Sequence, residues 1–416
     1  MSPSFSHSHH HGGQSNDLLA KLPDGVLVQI FEAVAHASKR DLCHVSRLSH
    51  RYHVLADAVL YKTVHFLTPE LHLIFSKSLR RRPRRGSAIH EVKIAYPASS
   101  LSTLITDFPN GSATNGHHGA LPIDQLSRTL STMSNLETLD LAVPDSLLHG
   151  VGQLFNGPFD LACLQSCTLF YQCDDDQYWD LQENIHIFAQ PTLKTLVIKR
   201  AKLDYRGFDL IERPEQTGLT RLHLIECDIN DDALSDLLAF PEALKEFVMT
   251  QAPEPSPELE ESSGSIRDYM IALQSAAHSL ETITVDFPLL QSARALQLRE
   301  FVQLKTLRLN WDHQLFGKTS KKPRMTSVGL PPELETLEFF NELGTDEEVT
   351  DLLVSALETI HFSARKFTRM IVIEGDDDKT VPKAVEEACK AQEQLQLDII
   401  GRMDTVNDSI FQDVEY

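Results

Sequence analysis

One phrase keeps returning in this chain from residue 88 onward. "NLETLDL", "TLKTLVI", "GLTRLHL", "SLETITV", "QLKTLRL" and "ELETLEF" all fit L-x-x-L-x-L, with Ile, Val or Phe standing in for Leu in places. The leading apolar position falls on Ile89, Leu136, Leu164, Leu193, Leu219, Leu244, Leu280, Leu304, Leu334 and Phe367, at intervals of 24 to 47 residues. A unit this short has too little core to fold alone, so recurrence at this scale predicts a stack of units that bury a continuous core between them. The alternating L-x-L segment predicts a short strand with one buried face, because successive side chains of a strand point to opposite sides. Segments between the strands carry helical spacing, as in "DDALSDLLAF" and in "TDEEVTDLLVSALETI", the latter opened by a Thr345/Glu348 capping box. The expected class is therefore α/β: an irregular solenoid over 88–400 with a curved sheet on its concave side and helices on its convex side. A helix at 383–394 and a closing strand at 395–400, "LQLDII", end it.

The long intervals have visible causes. "DFPNGSATNGHHGALP", at 107–122, and the Pro- and Glu-rich stretch near 251–265 are rich in turn-forming residues and predict flexible insertions between units. Residues 1–17 are low in complexity and rich in His, which predicts a disordered tail, and 401–416 are expected to fray. Residues 67–87 are expected to be a basic linker; within it "LRRRPRRG", at 79–86, suits a nuclear-import signal, a local phosphate contact or a solvated spacer.

Charge narrows the function further. Thirty-eight basic residues against fifty-nine acidic ones give a net charge of −21, which repels nucleic acid and anionic membranes and argues against either as a partner. No run approaches the roughly 20 apolar residues of a membrane span, and the first thirty residues lack a signal-peptide apolar region. A cytoplasmic or nuclear protein is expected, and six sparse cysteines fit reduced thiols. Of these, Cys163, Cys167 and Cys173 lie close in sequence, but Cys167 takes a core position of its unit, so no metal site is expected. The phosphate-binding glycine loops, the G-x-S-x-G elbow and the H-E-x-x-H pair are absent, so neither catalytic residues nor a cofactor is expected.

Residues 18–66 obey a different rule. Val26, Leu27, Ile30, Phe31 and Val34 lie on one helical face that Pro23 and Asp24 can open, and Leu42, Val45, Leu48 and Tyr52, then Leu55, Ala56, Val59 and Leu60, repeat the spacing. Three short helices bury little, which points to completion by a partner. The ordered set Leu22-Pro23, Val26-Leu27, Ile30-Phe31, Leu42, Val45, Leu48-Ser49, Tyr52, Leu55-Ala56, Leu60-Tyr61 resembles an F-box. It departs from that family's pattern at Tyr52, where many members have Trp, and at Gly25 in the first helix turn. The resemblance implies docking on a Skp adaptor, joined to cullin and RING subunits, through Leu22, Pro23, Val26, Leu27, Ile30, Phe31, Leu42, Val45, Leu48, Tyr52, Leu55 and Leu60. With the repeats behind it, which resemble leucine-rich repeats and in "LTRLHLIECDI" reach their fuller L-x-x-L-x-L-x-x-C-x-I form, the chain is similar to a fungal-type substrate receptor of an SCF ubiquitin ligase. It would then hold an unidentified protein target for ubiquitination and proteasomal degradation and do no chemistry itself. The competing expectation is a leucine-rich-type scaffold whose N-terminal helices only cap the solenoid.

Strand alternation also names a candidate target-binding face. With Leu139 and Leu141 inward, Thr138, Asp140 and Ala142 face outward, and the same count exposes Phe170, Val197, Lys199, Arg221, His223, Ile225, Val248, Thr250, Arg308, Asn310, Glu338 and Phe340. Phe170, Ile225, Val248 and Phe340 are more apolar than a solvated face requires, which suits a protein-binding strip.

Overall fold

The structure, a computed structural model, describes residues 18–96, 125–157, 160–174, 177–204, 216–288, 290, 296–310, 329–343, 347–374, 381–392 and 394–401. The expected tail at 1–17, the insertion near 107–122, Thr345 of the capping box and the stretch from residue 402 onward lie outside these. The chain divides into two compact units, Met1–Thr63 and Val64–Tyr416.

Three helices make the first unit: α1 (Asp24–Ala37), α2 (Lys39–Val45) and α3 (His50–Lys62). Local chemistry sets their starts. Pro23, held near φ −60° by its ring, is the residue from which α1 departs. Ser38 and Ser49 cap α2 and α3, their hydroxyls accepting from the N–H groups of Asp41 at 3.2 Å and Tyr52 at 3.1 Å. Ser38 is also extended, at φ −162°, and this breaks what would otherwise run on as one helix.

The second unit is built on one sheet of twelve strands. In sequence these are β1 (Thr63–Phe66), β2 (Glu91–Ala95), β3 (Thr138–Pro144), β4 (Ser166–Gln172), β6 (Thr195–Lys199), β8 (Arg221–Ile225), β10 (Glu246–Thr250), β11 (Thr282–Asp286), β12 (Thr306–Leu309), β13 (Thr336–Glu342), β14 (Arg369–Ile373) and β15 (Gln396–Ile400). They lie side by side in that order, and every neighbouring pair from β2 to β15 is parallel. Three short strands missing from that order, β5 (Trp179–Asp180), β7 (Ala201–Leu203) and β9 (Asp228–Ile229), form a second small sheet.

The repeat phrase sets the register. Strands β2 to β14 of the large sheet each start two residues after a leading apolar side chain, as Leu136 precedes Thr138 and Leu280 precedes Thr282. First residues pair with first residues across the sheet, Thr138 with Ser166, Thr195 with Arg221, Glu246 with Thr282, Thr306 with Thr336. With no stagger, the leading residues stack into one line, and all ten are buried. One position ahead of the strands a backbone ladder runs the same way: Lys194 N–H to Gln165 O at 2.7 Å, Lys245 N–H to Thr220 O at 2.9 Å, Lys305 N–H to Glu281 O at 2.9 Å. The second and fourth residues of β3, β4, β6, β8, β10, β11 and β12 form the core beside this line. A solenoid-like stack with one strand per unit is what this architecture fits.

Between the strands lie α4 (Pro69–Arg81), α5 (Gln125–Ser131), α6 (Leu148–Phe155), α7 (Asp231–Leu237), α8 (Ile266–Ala272), α9 (Glu347–Ser363) and α10 (Lys383–Lys390), with 3-10 turns such as Leu181–Ala189.

Two expectations about the connections are corrected. Residues 67–87 are not a linker: they form α4 and then a 3-10 segment, Pro83–Ala88. The inner face of α4 buries Pro69, His72, Ser76 and Leu79 at helical spacing, and His72 Nε2 lies 3.2 Å from Thr129 Oγ1 of α5. Gly86 then passes so close to the Thr132 carbonyl that an added Cβ would sit 2.3 Å from its oxygen, a contact only glycine avoids. The insertion at 251–265 is tied down as well. Asp228, itself buried, accepts the N–H groups of Glu260 at 2.9 Å and Ser262 at 2.7 Å, with Glu261 N–H between them at 3.2 Å.

Candidate protein-docking surfaces

The helical unit encloses a small core of its own. Leu27, Phe31, Leu42, Tyr52 and Ala56 are buried at its centre, with Leu22, Ile30, Val45, Leu55 and Leu60 packed half-buried around them. Phe31 and Tyr52 meet edge to face at 5.7 Å, the geometry aromatic quadrupoles prefer. Tyr52, where the resemblance expects Trp, is thus a core residue. The Leu22-Pro23-Asp24 opening is held down by Arg51, which donates through Nε to Asp24 Oδ1 at 2.8 Å and through Nη2 to the Leu22 carbonyl at 2.6 Å. The ion pair is exposed and contributes at most about 1 kcal/mol, but it fixes where the chain enters α1.

This division sorts the twelve residues expected to touch an adaptor. Leu27, Phe31, Leu42 and Tyr52 are corrected: they are the unit's own core, and a partner cannot reach them without unfolding it. Pro23 and the aliphatics Val26, 41% exposed, and Leu48, 72% exposed, are presented to solvent. The remaining five, Leu22, Ile30, Val45, Leu55 and Leu60, are half-buried. Leu18, Leu19 and Val54 are exposed large aliphatics that periodicity missed. Their sequence signal is position: Leu18 and Leu19 precede the helical spacing that begins at Val26, and Val54 falls outside the face set by Leu55, Ala56, Val59 and Leu60.

The face of the sheet made by first, third and fifth strand positions is the second surface. Arg221 is exposed, and Phe170, Val197, Lys199, His223, Arg308 and Phe340 are half-buried. Val248 and Ile225 are corrected: both are buried, as are Ala142, Thr250, Asn310 and Glu338 from the same alternation. Unshifted register supplies the reason. Val248 stands between His223 and Thr284, and Glu338 between Arg308 and Ile371. Side chains at the same level about 4.8 Å to either side close the flanks that alternation within one strand leaves open.

Charges on this face are partnered. Lys93 Nζ lies 3.5 Å from Asp140, His223 Nε2 2.9 Å from Glu246, and Arg308 Nε 2.9 Å from Glu338. Burial holds the Asp140 and Glu338 carboxyls above the usual range even so, and it lowers the Lys199 ammonium. Glu246 is lowered, chiefly by the hydrogen bond from His223. A face of half-buried aromatics among compensated charges is suited to contact with another protein surface, where unpaired charge is costly to cover.

The cysteines that lie close in sequence take different environments: Cys163 is exposed, Cys173 half-buried and Cys167 buried in the core, where burial raises its thiol. Among the described residues no group of three or more His, Cys, Asp or Glu side chains is placed to hold a metal ion, and no helix is long and apolar enough to cross a membrane.

No curated protein matches the chain. The helical unit is similar to a known family: residues 19–67, which run from the exposed Leu19 through α1, α2 and α3, match the model described as F-box-like.

Proposed function

We propose that this chain is a substrate receptor of an SCF ubiquitin ligase, its helical unit docking on a Skp adaptor that connects to cullin and RING subunits, and its repeat unit holding a protein target for ubiquitination. The observation that carries the reading is the F-box-like match over a unit that exposes Leu18, Leu19, Val26, Leu48 and Val54 while burying a core of its own. A unit this small has little reason to spend aliphatic side chains on solvent unless another protein covers them. The target-binding part of the proposal rests on Phe170, Val197, Lys199, Arg221, His223, Arg308 and Phe340, which remain accessible on one face of the sheet. On this account the chain supplies proximity and leaves chemistry to its partners.

The test is capture of the tagged full chain from cells, with and without proteasome blockade. The Skp adaptor should co-purify in both cases, and a set of further proteins should accumulate only under blockade. A chain carrying Val26→Asp and Leu48→Asp should lose the adaptor. Absence of the adaptor from the wild-type capture rules the reading out. Recovery of the adaptor with a target set that does not respond to blockade removes its degradative part.

A further inference from the structure

Helix α4 presents an outer face that none of the described residues of the repeat unit covers. Opposite the buried His72, Ser76 and Leu79, this face carries Leu71, 50% exposed, and Ile74, 66% exposed, joined by exposed Leu67 just before the helix. Two turns on from Ile74 stands Arg81, at the i+7 position of the same ridge. With it come exposed Lys77 and Arg80 in the helix and Arg82 and Arg84 in the turn that follows. In a chain of net charge −21, none of these five cations has a carboxylate within ion-pair distance among the described residues, although cations elsewhere, such as Lys62, Lys305 and Arg308, do. Arg85, beside them, turns inward and donates to Ser78 Oγ at 3.1 Å. The acidic residue on the ridge, Glu70, is occupied at the other end of the helix, its carboxyl lowered by hydrogen bonds to its own backbone N–H and to Thr68. It lies about 16 Å along the axis from Arg81.

We propose that the outer face of α4 and the turn after it form a docking site for an acidic peptide segment of a protein partner, one that bears aliphatic side chains. The carboxylates of such a segment would meet the unpaired arginines, and its aliphatics would cover Leu71 and Ile74. Both halves are needed to choose this occupant. Arginines alone would suit any polyanion, but exposed Leu and Ile give a sugar-phosphate backbone nothing to bind, and the overall charge opposes an extended nucleic acid or an anionic bilayer. Guanidinium groups pair carboxylates in a bidentate manner and are weakly hydrated, which suits a contact that also buries aliphatic surface. The helical state of Arg80 and Arg81 also means that they are offered from a fixed surface and not as an extended basic strand. This site lies wholly within the repeat unit and does not depend on the adaptor reading.

The test uses the purified full chain and a panel of fluorescent Glu-rich 15-residue peptides with Leu pairs at spacings of two, three, four and seven. A Glu-rich peptide without Leu, a 20-base-pair DNA duplex and phosphatidylserine vesicles serve as comparisons. At least one Leu-bearing peptide should bind saturably, more weakly in higher salt. Its affinity should fall at least about tenfold in Leu71→Ser/Ile74→Ser, and by a similar factor in Arg81→Glu/Arg84→Glu. All four positions are exposed, so a matched melting temperature shows that each variant folds. Failure of every Leu-bearing peptide to bind overturns the proposal. So does binding that ignores the Leu71/Ile74 pair, or DNA or vesicles binding more tightly than any peptide. Capture of the Skp adaptor should be unchanged in both variants, which separates failure here from failure of the receptor reading.

Discussion

Leu27 and Val26 are adjacent in the chain and opposite in environment, one at the centre of a five-residue core and the other 41% exposed. Loss of Phe31 should therefore act through stability: Phe31→Ala removes one ring of the edge-to-face pair with Tyr52 and should cost about 3–5 kcal/mol. Hydrogen exchange over residues 24–62 would show this as collapse of protection across all three helices, with the repeat unit unaffected. Gly25 behaves in the opposite sense. A Cβ there meets nothing within 4 Å, so Gly25→Ala should stabilise the helical unit by up to ~1 kcal/mol, readable as slower exchange in α1. His72 links stability to pH. It is fully buried, its Nδ1 has no hydrogen-bond partner among the described residues, and burial lowers its pKa to about 4. The unfolded chain, with His near 6.5, takes up a proton that the folded chain refuses. Stability should thus be full above pH 6.5 and fall by up to about 3 kcal/mol as pH drops from 6.5 towards 4. Unfolding followed at pH 7.5 and pH 5 should show a smaller drop in His72→Gln than in the wild type; equal drops would remove His72 as the cause. Sequence alternation assigns each side chain of a strand to a face, but burial is set by three strands. For this reason Phe170 and Arg221 stayed accessible and Val248 did not.

Elements were legible where a period had room to show. Strands β2 to β14 of the large sheet start two residues after leading Leu, Ile or Phe because that residue must join the stacked line, and α7 and α9 sit where helical spacing placed them. The helix α4 was hidden because its inner face mixes apolar Leu79 with the polar pair His72 and Ser76, and because the run of arginines at its end carries no apolar period. The strands β5, β7 and β9, two or three residues long, are too short to carry any period. The insertion at 251–265 read as flexible from its Pro and Glu content, yet what orders it lies in another repeat. Asp228 answers the N–H groups of residues 260, 261 and 262 from inside β9, together with the Asn230 side chain, which donates to the Glu261 carbonyl at 3.3 Å. An Asp228→Ala chain loses three charge-assisted bonds, each worth about 1.5–3 kcal/mol. Amide exchange at Glu260, Glu261 and Ser262 should speed up at least about tenfold, while the strand β10 keeps its protection. Unchanged exchange at those three amides would show that the insertion is held some other way.

At the scale of the molecule, the twelve-stranded sheet turns a short sequence phrase into a long surface. Unshifted register also places opposite charges at the same level along its edge, so that Glu281 meets Lys245 at 3.2 Å and Lys305 at 2.7 Å. The two units divide the labour by composition: one has a minimal core and exposed aliphatics, the other an extended face of compensated charge and half-buried aromatics. The division was legible in the sequence, since repeat phrase and helical set obey different periods, but the partition of the helical set into core and contact surface was not. Periodicity names a face and cannot say which part of that face is closed by the unit itself. On the proposed reading, the exposed part of the helical unit takes the Skp adaptor. Isothermal titration of the purified full chain with recombinant adaptor decides it. Binding to the wild type should be saturable, and at least about tenfold weaker to Val26→Asp/Leu48→Asp, with an unchanged melting temperature, because Val26 lies in the first turn of α1, where Asp is favourable, and Leu48 lies in a turn. Binding to the double variant as tight as to the wild type, or no binding by the wild type, would contradict it.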